Sequence, residues 1–468
     1  MKKTLLAIIL IISLTYLWSE VSLESAINMA RENNKELKMS KEDVSIADYN
    51  YKEIKGQLLP QINLNASYSL KKNWLPDSAI PPSKSFLDDL DATADANDNA
   101  LADGLDMIYG AMLPDDESEE ASLVGQVQLQ QILFSGGKLI NGIRVLDKVK
   151  TLQSKKYQLS EQQLVIDVID AYYNLYLARK VYNIQVQALE TAELHLERVE
   201  NSFNQGLVSE YDRLRAELEV SRLHPQVLES ENQKNLAEEN FRRVTGYTSE
   251  EEISLSDDII YNKAFNVSLD NALRLANKQR IELYLTEVMK EIYEVQYKAE
   301  KGNYLPNIAL TADVSKYNTS DSFSIDKDDF GTMASVGLGF QMPLFSGFSN
   351  TSKALRAKHE LRKSEHDAVN TQDLINLEIR QIWQSYQHSI KNLETQKKNL
   401  SLAERAYQIA ESRFQNQTGI QLEVFDAQIQ LNSAKIALAQ ADIQVLKNYY
   451  ALNKSIGNNL YNLIGEEK

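Results

Sequence analysis

Few residues in this 468-residue chain have the type and spacing to do chemistry. The five histidines, His195, His224, His359, His366 and His388, are scattered. His359 and His366 lie a heptad apart, which puts both imidazoles on one helix face, but no acidic or cysteine partner completes a metal set. Asp95-Ala-Asn97-Asp-Asn99-Ala-Leu101-Ala-Asp103 has the alternating oxygens of a calcium loop. However, Ala100 stands where such a loop needs glycine, and Asp106 where it needs glutamate. Gly337-Leu-Gly339 lies inside an alternating strand pattern and opens no helix, so it is no phosphate cradle. The chain has no cysteine, which excludes thiol catalysis, a disulfide scaffold and a lipidated N-terminal cysteine. The expectation is a protein that is not an enzyme, with no cofactor and no metal.

What remains is a set of carboxylates at two turns. The first turn reads Phe203-Asn-Gln-Gly206-Leu207-Val208-Ser209-Glu-Tyr-Asp212-Arg-Leu-Arg-Ala216-Glu217. The second reads Phe414-Gln-Asn-Gln-Thr-Gly419-Ile420-Gln-Leu-Glu423-Val-Phe-Asp426-Ala427-Gln428, with the same spacing from phenylalanine to alanine. Gly206 suits the end of a helix, where φ > 0 is preferred. Ser209 suits the N-cap of the next helix, and Asp212 falls in its first turn, where the helix dipole favours a carboxylate. A connection this short makes the two helices antiparallel. Such a tip, built twice, suggests one use for both copies.

The elements that carry the tips also recur. Val21-Ser-Leu-Glu-Ser-Ala26 returns as Val267-Ser-Leu-Asp-Asn-Ala272, and Leu59-Pro60-Gln-Ile62 as Leu305-Pro306-Asn-Ile308, both at an offset of 246 residues. Leu133-Phe-Ser-Gly136 returns as Leu344-Phe-Ser-Gly347, Phe203 as Phe414 and Gly246 as Gly457, at an offset of 211. One insertion in the first copy explains the change. The division is therefore 1–19, an apolar signal peptide behind Met1-Lys2-Lys3 with cleavage placed after Ser19 and an uncleaved anchor as the alternative; 20–248, a first repeat; and 249–468, a second.

Each repeat reads as helix, strand, loop, strand, long helix, tip, helix. The opening helices begin near Ser22 and Ser268 and run to about Gly56 and Gly302. Strands are expected at about 60–70, 123–134, 305–316 and 334–344, from alternation such as Ile62, Leu64, Ala66 and Tyr68 against Gln61, Asn63, Asn65 and Ser67. Their length of ~10 residues suits a tilted membrane strand, though alternation alone fits a soluble sheet equally well. Four strands cannot close a barrel, which needs about 8, and an open edge in lipid leaves backbone groups unpaired. Membrane strands here imply several chains sharing one barrel.

A proline-free helical pattern from Lys138 to Phe203 carries an apolar stripe from Val165 to Phe203, stepping by 3 and 4 as coiled coils do. At 1.5 Å per residue it is about 100 Å long. Pro225 predicts a kink in the helix after the tip. The insertion, 76–120, holds thirteen acidic residues against Lys84 alone, and predicts a mobile loop. Tyr172-Tyr173 and Tyr449-Tyr450 read as packing. The net charge of −16 argues against nucleic acid as a partner.

The ordered set of Leu-Leu-Pro-Gln-Ile at a strand start, Leu-Phe-Ser-Gly-Gly after its partner, Ala171-Tyr-Tyr-Asn-Leu, and Phe-Asn-Gln-Gly-Leu-Val-Ser at the tip resembles the TolC family of outer-membrane efflux proteins. The resemblance implies a mainly α fold with a small membrane β-barrel contribution. A homotrimer forms a 12-stranded β-barrel in outer-membrane lipid, continued by a long periplasmic α-helical barrel. It implies a passive exit duct gated at the periplasmic tips, with an adaptor (membrane fusion) protein and an inner-membrane pump as partners. By the same resemblance Asp212, Glu423 and Asp426 match the gate carboxylates, and Gly206, Leu207, Val208, Ser209, Gly419 and Ile420 the tips that meet the adaptor. Where the family's gate has an arginine and a tyrosine, this chain has Gly419 and Phe414, so Arg213, Arg215 or Arg413 must supply any closing ion pair. Two alternatives stay open: a duct for type I protein secretion, and a periplasmic coiled-coil scaffold with no pore.

Overall fold

The computed structural model describes residues 20–74, 95–112, 117–248, 253–256, 265, 267–320, 330–416 and 418–465. The expected signal peptide lies outside them. The described residues fall into two compact units, one of 20–51, 144–295 and 356–465, the other of 52–143 and 296–355.

In chain order the elements are α1 (Leu23–Asn33), α2 (Lys35–Gly56), β1 (Gln61–Trp74), α3 (Ala96–Met112), β2 (Glu117–Ser135), α4 (Lys138–Asn204) and α5 (Glu210–Thr245). Then follow α6 (Leu269–Gln279), α7 (Ile281–Lys301), β3 (Asn307–Ser320), β4 (Gly331–Gln341), α8 (Ser349–Gln415), α9 (Gln421–Ser455) and α10 (Leu460–Gly465). Ser22 and Ser268 cap α1 and α6 through their side chains, satisfying the first free N–H groups. α5 is one continuous helix that includes Pro225.

The opening helix of each half, expected to be single, is broken once. The break falls at Asn34 and at Arg280, both extended with ψ of 128° and 124°. Packing forces it. Gly246, the C-cap of α5 at φ 70°, lies so near Asn33 that an added Cβ would stand 2.5 Å from the Asn33 Cβ. Gly457 at φ 88° meets Gln279 in the same way, at 2.6 Å. Asn34 then serves both sides of its break: Oδ1 accepts from Leu37 N at 3.0 Å and Nδ2 donates to the Val244 carbonyl at 3.1 Å.

The core of the first unit gathers around α1, α4, α5, α8 and α9, with Ile27, Val168, Leu175, Phe241, Tyr386 and Leu452 fully buried. Tyr172 and Tyr173 pack edge to face at 5.6 Å, and Tyr173 stacks on Tyr450 at 6.3 Å. The Tyr172 hydroxyl donates to the Val21 carbonyl at 3.1 Å, and Val21 bridges in parallel to Leu255 of the segment joining the halves.

The second unit holds one antiparallel sheet in the order β1-β2-β3-β4. In its register Leu64, Val127, Val314 and Ala334 lie abreast, as do Ile62, Leu129, Ala312 and Val336. The other face carries rows such as Asn63, Gln128, Asp313 and Ser335. The apolar face is bare: Leu64 is 75% and Val336 79% exposed. No described helix is long and apolar enough to cross a membrane.

Several strand boundaries differ from expectation: β1 runs on to Trp74, β3 to Ser320, and β4 starts at Gly331, while two others have a clear cause. β4 ends at Gln341, short of Met342 and Leu344, because Pro343 cannot donate to a ladder. β2 begins at Glu117, inside the acidic insertion, because Glu119 and Glu120 lie opposite Lys72 and Lys71, with Lys71 Nζ 3.7 Å from Glu120 Oε2. The insertion is also not wholly a loop, since Ala96–Met112 is helical. Asp95 caps it, Oδ1 accepting from the backbone N of Asn97 at 2.7 Å and of Asp98 at 2.9 Å. The calcium-like spacing is thereby wound into a helix start. The rest of the insertion, 76–94 and 113–116, lies outside the described residues.

Candidate functional site

The two tips pack on one another. Val199 of α4, Ala216 of α5 and Phe425 of α9 form a buried cluster, with Leu196 and Val208 against it. Val208, expected at an outer contact surface, is therefore half-buried and turned inward. Leu207 and Ile420 are 67% and 60% exposed. Gly206 is at φ 74° with open space around it.

Each tip carboxylate has its own surroundings. Asp212 closes a capping box: its Oδ2 accepts from Ser209 Oγ at 2.6 Å and from Ser209 N at 3.2 Å, while Ser209 Oγ accepts from Asp212 N. Glu423 meets Arg413 across the second tip, Nη1 to Oε2 at 2.9 Å. The pair lacks the alignment of a hydrogen bond, so it is a contact of charges, and its partial exposure makes it weak. Gly419 allows it, because a Cβ there would stand 3.0 Å from the Arg413 Cβ and 3.2 Å from Glu423 Oε2. Asp426 is exposed. Of the three arginines that sequence offered for an ion pair, Arg413 is the one at a gate carboxylate. Arg213 instead reaches Glu217 at 3.5 Å and covers the Phe203 ring, and Arg215 covers Tyr211.

Behind the second tip lies a cavity of about 210 Å³ between α4, α5, α8 and α9. His195 projects from the apolar stripe of α4 and is 8% exposed. Its ring lies between those of Phe414, at 5.4 Å, and Phe425, at 5.1 Å. Gln421 Nε2 lies 3.2 Å from His195 Nε2, within hydrogen-bond distance. Burial, with the Arg198 charge adding to it, lowers the His195 pKa from 6.5 to about 4, so the ring is neutral at pH 7. Burial likewise raises the pKa of Tyr407 in the same wall. Sequence reasoning passed over this histidine as one of five scattered ones. The available signal was its place beside Ala192, Leu196 and Val199 in the apolar stripe.

His359 and His366 are exposed on α8. Among the described residues no three histidines or carboxylates gather as metal ligands would.

Comparison with known proteins bears on the whole arrangement. A family model described as outer membrane efflux protein matches residues 26–247 and 273–458. The chain is 23% identical over 467 residues to the outer membrane protein TolC of Escherichia coli K12, spanning 97% of this chain and 86% of that protein. It is 23% identical over 335 residues to the outer membrane efflux protein BepC of Brucella suis, 71% of each. Among solved structures, the CmeC outer membrane channel of Campylobacter jejuni superposes with a TM-score of 0.73 at 16% identity, covering 95% of this chain and 89% of that one.

Proposed function

The chain belongs to the outer membrane efflux protein family, and from that premise we propose that it is a passive exit duct of the outer membrane. Three copies close one 12-stranded barrel, and the long helices of the same three copies form a tunnel on the periplasmic side. The single observation that carries the reading is the sheet. Four strands with an exposed apolar face and two free edges, β1 and β4, are stable in lipid only when neighbouring copies pair with those edges. The polar face, with rows such as Asn63, Gln128, Asp313 and Ser335, then lines the water-filled interior.

The tips are the gate in this reading. Asp212, Glu423 and Asp426 of three copies stand at the narrow end, and Gly206 to Ser209 with Gly419 and Ile420 meet a periplasmic adaptor that couples the duct to an inner-membrane pump. Support comes from the bare Leu207 and Ile420 at the ends of both hairpins and from the weak Arg413–Glu423 contact, which is easily exchanged for another partner. The duct makes and breaks no covalent bond. The pump supplies the energy and selects small molecules or a secreted protein.

Light scattering of the detergent-solubilised protein tests the assembly and should give three times the mass of the mature chain. The same preparation should open ion-conducting pores in a planar bilayer. A stable monomer with its full strand content would end the shared-barrel reading.

A further inference from the structure

One end of the sheet carries an apolar turn that is bare among the described residues. β2 ends, β3 begins and β4 ends there in one row, Ser135, Asn307 and Gln341. The next row, on the apolar face, is Phe134, Ile308 and Phe340. Leaving β4, the chain exposes Leu344, Phe345 and Phe348 before α8 begins, Leu344 by 91%. The two phenylalanine rings meet edge to face at 5.7 Å. Phe348 is held at φ 62°, a conformation rare for a bulky residue, where the first half has Gly137 at φ 79°. Glycine would relieve the strain, yet this copy keeps an exposed ring. Strain retained for an exposed apolar side chain points to a contact outside the chain.

Three lysines stand beside this turn. Tyr304 Oη meets Thr351 Oγ1 at 3.0 Å, and Asn350 Nδ2 donates to the Asn303 carbonyl at 3.2 Å. The residues after α7 are thereby tied to the start of α8, with Lys301 on one side of the tie and Lys353 on the other. Lys138, the first residue of α4, packs at Gly302, where an added Cβ would stand 3.3 Å from Lys138 Cγ. A cation in the first turn opposes the helix dipole, so Lys138 does not serve α4. Among the described residues no carboxylate pairs with Lys138, Lys301 or Lys353. The neighbouring Glu300 instead accepts from Asn303 Nδ2 at 2.7 Å.

We propose that this corner of each chain docks into the bilayer leaflet nearest the start of α8 and selects anionic phospholipid. Leu344, Phe345 and Phe348 enter among the acyl chains, and Lys138, Lys301 and Lys353 meet the headgroup phosphates. The patch follows directly on the apolar face of the sheet, which faces lipid in the proposed duct. Aromatic rings at a strand end suit the membrane interface, and cations without carboxylate partners complement anionic headgroups. The inference rests on the duct reading and adds to it a class of lipid.

The test places Phe345→Trp in the full-length assembly, reconstituted in phosphatidylcholine vesicles. A small share of the lipid is brominated, either phosphatidylglycerol or phosphatidylcholine, and bromine quenches a tryptophan that it touches. Quenching beyond that of the unsubstituted protein, whose Trp74 and Trp383 set the background, reports contact at the turn. Brominated phosphatidylglycerol should be preferred by about fivefold or more, the effect of one lysine at an anionic surface. Added salt should weaken the preference. Lys138→Gln/Lys301→Gln/Lys353→Gln should make the two lipids equal while both still quench. Equal quenching with the lysines in place would overturn the proposal, as would a preference that survives their replacement. Quenching by neither lipid would also overturn it, leaving the turn against a second copy or in water. Leu344→Trp replaces Phe345→Trp as reporter if the latter loses the trimer. Trimer mass and conductance are measured on the same preparation. If both hold while the lipid preference fails, this inference alone falls; if the unsubstituted protein lacks them, the duct reading falls and takes this inference with it.

Discussion

Arg280 Nη1 donates to the carbonyl oxygen of Ser455 at 3.2 Å, and in the first half Asn34 Nδ2 donates to that of Val244 at 3.1 Å. The two pairs are related by the offsets of the sequence repeat, 246 and 211 residues. Both tie a broken opening helix to the last turn of the helix that closes its half. Arg280 also holds Glu282 in a fork, Nε and Nη2 at 2.9 and 2.8 Å, and Glu378 at 3.0 Å.

Arg280→Met leaves that carbonyl and the buried side of Glu282 without a donor, and should cost about 2–3 kcal/mol. Asn34→Ala loses one bond and a cap, and should cost about 1–2 kcal/mol. Arg280→Lys keeps the charge without the fork and should fall between wild type and Arg280→Met. Urea denaturation followed by far-ultraviolet circular dichroism measures all three. An Arg280→Lys variant as stable as the wild type would show that the fork contributes nothing.

Positive φ separates glycines that packing demands from those that only turn. Gly206→Ala meets no neighbour within 4 Å and should lose only the left-handed penalty, about 1–2 kcal/mol. Gly246→Ala adds a collision with Asn33 and should impair assembly, seen as loss of the trimer in light scattering. Phe348 is the reverse case. It stands at φ 62° where the first half has Gly137 at φ 79°. Phe348→Gly should therefore raise the melting temperature, unless the exposed ring is anchored in lipid, when Phe348→Gly will be stabilising in detergent alone.

His195 makes stability depend on pH. Its pKa is about 4 folded against 6.5 unfolded, so the unfolded chain binds the extra proton between those values. The contribution is intact above pH 6.5 and is lost as pH falls towards 4, about 3 kcal/mol per chain in all. His195→Phe should flatten the denaturation midpoint between pH 6.5 and 4. A wild-type midpoint that rises on acidification over this range would contradict the assignment.

The gate proposal predicts ion selectivity. Three copies of Glu423 and Asp426 at one aqueous constriction attract cations, as acidic rings do in cation channels. In planar bilayers Glu423→Gln/Asp426→Asn should conduct with lower cation selectivity and weaker block by multivalent cations. If the two carboxylates only complement the helix dipole, the trimer will lose a little stability and conduct as before.

The sequence by itself determined the repeat, the helices and strands, the serine caps and the acidic tips. Each is a local signal: the 3.6 and 2.0 periods, Ser22, Ser209 and Ser268 before helical runs, and Pro60 and Pro306 before strands. Resemblance placed Asp212, Glu423 and Asp426 without their partners. Only the tertiary structure decided the breaks at Asn34 and Arg280, because they answer to Gly246 and Gly457 more than 170 residues away. It decided that Glu117–Glu120 is a strand, because the backbone it pairs with, Lys71 to Trp74, lies on β1. It chose Arg413 over Arg213 and Arg215, because Gly419 leaves room for the contact with Glu423. It turned His195 from a scattered histidine into the wall of a cavity, because Phe414, Gln421 and Phe425, which enclose its ring, lie more than 200 residues further along the chain.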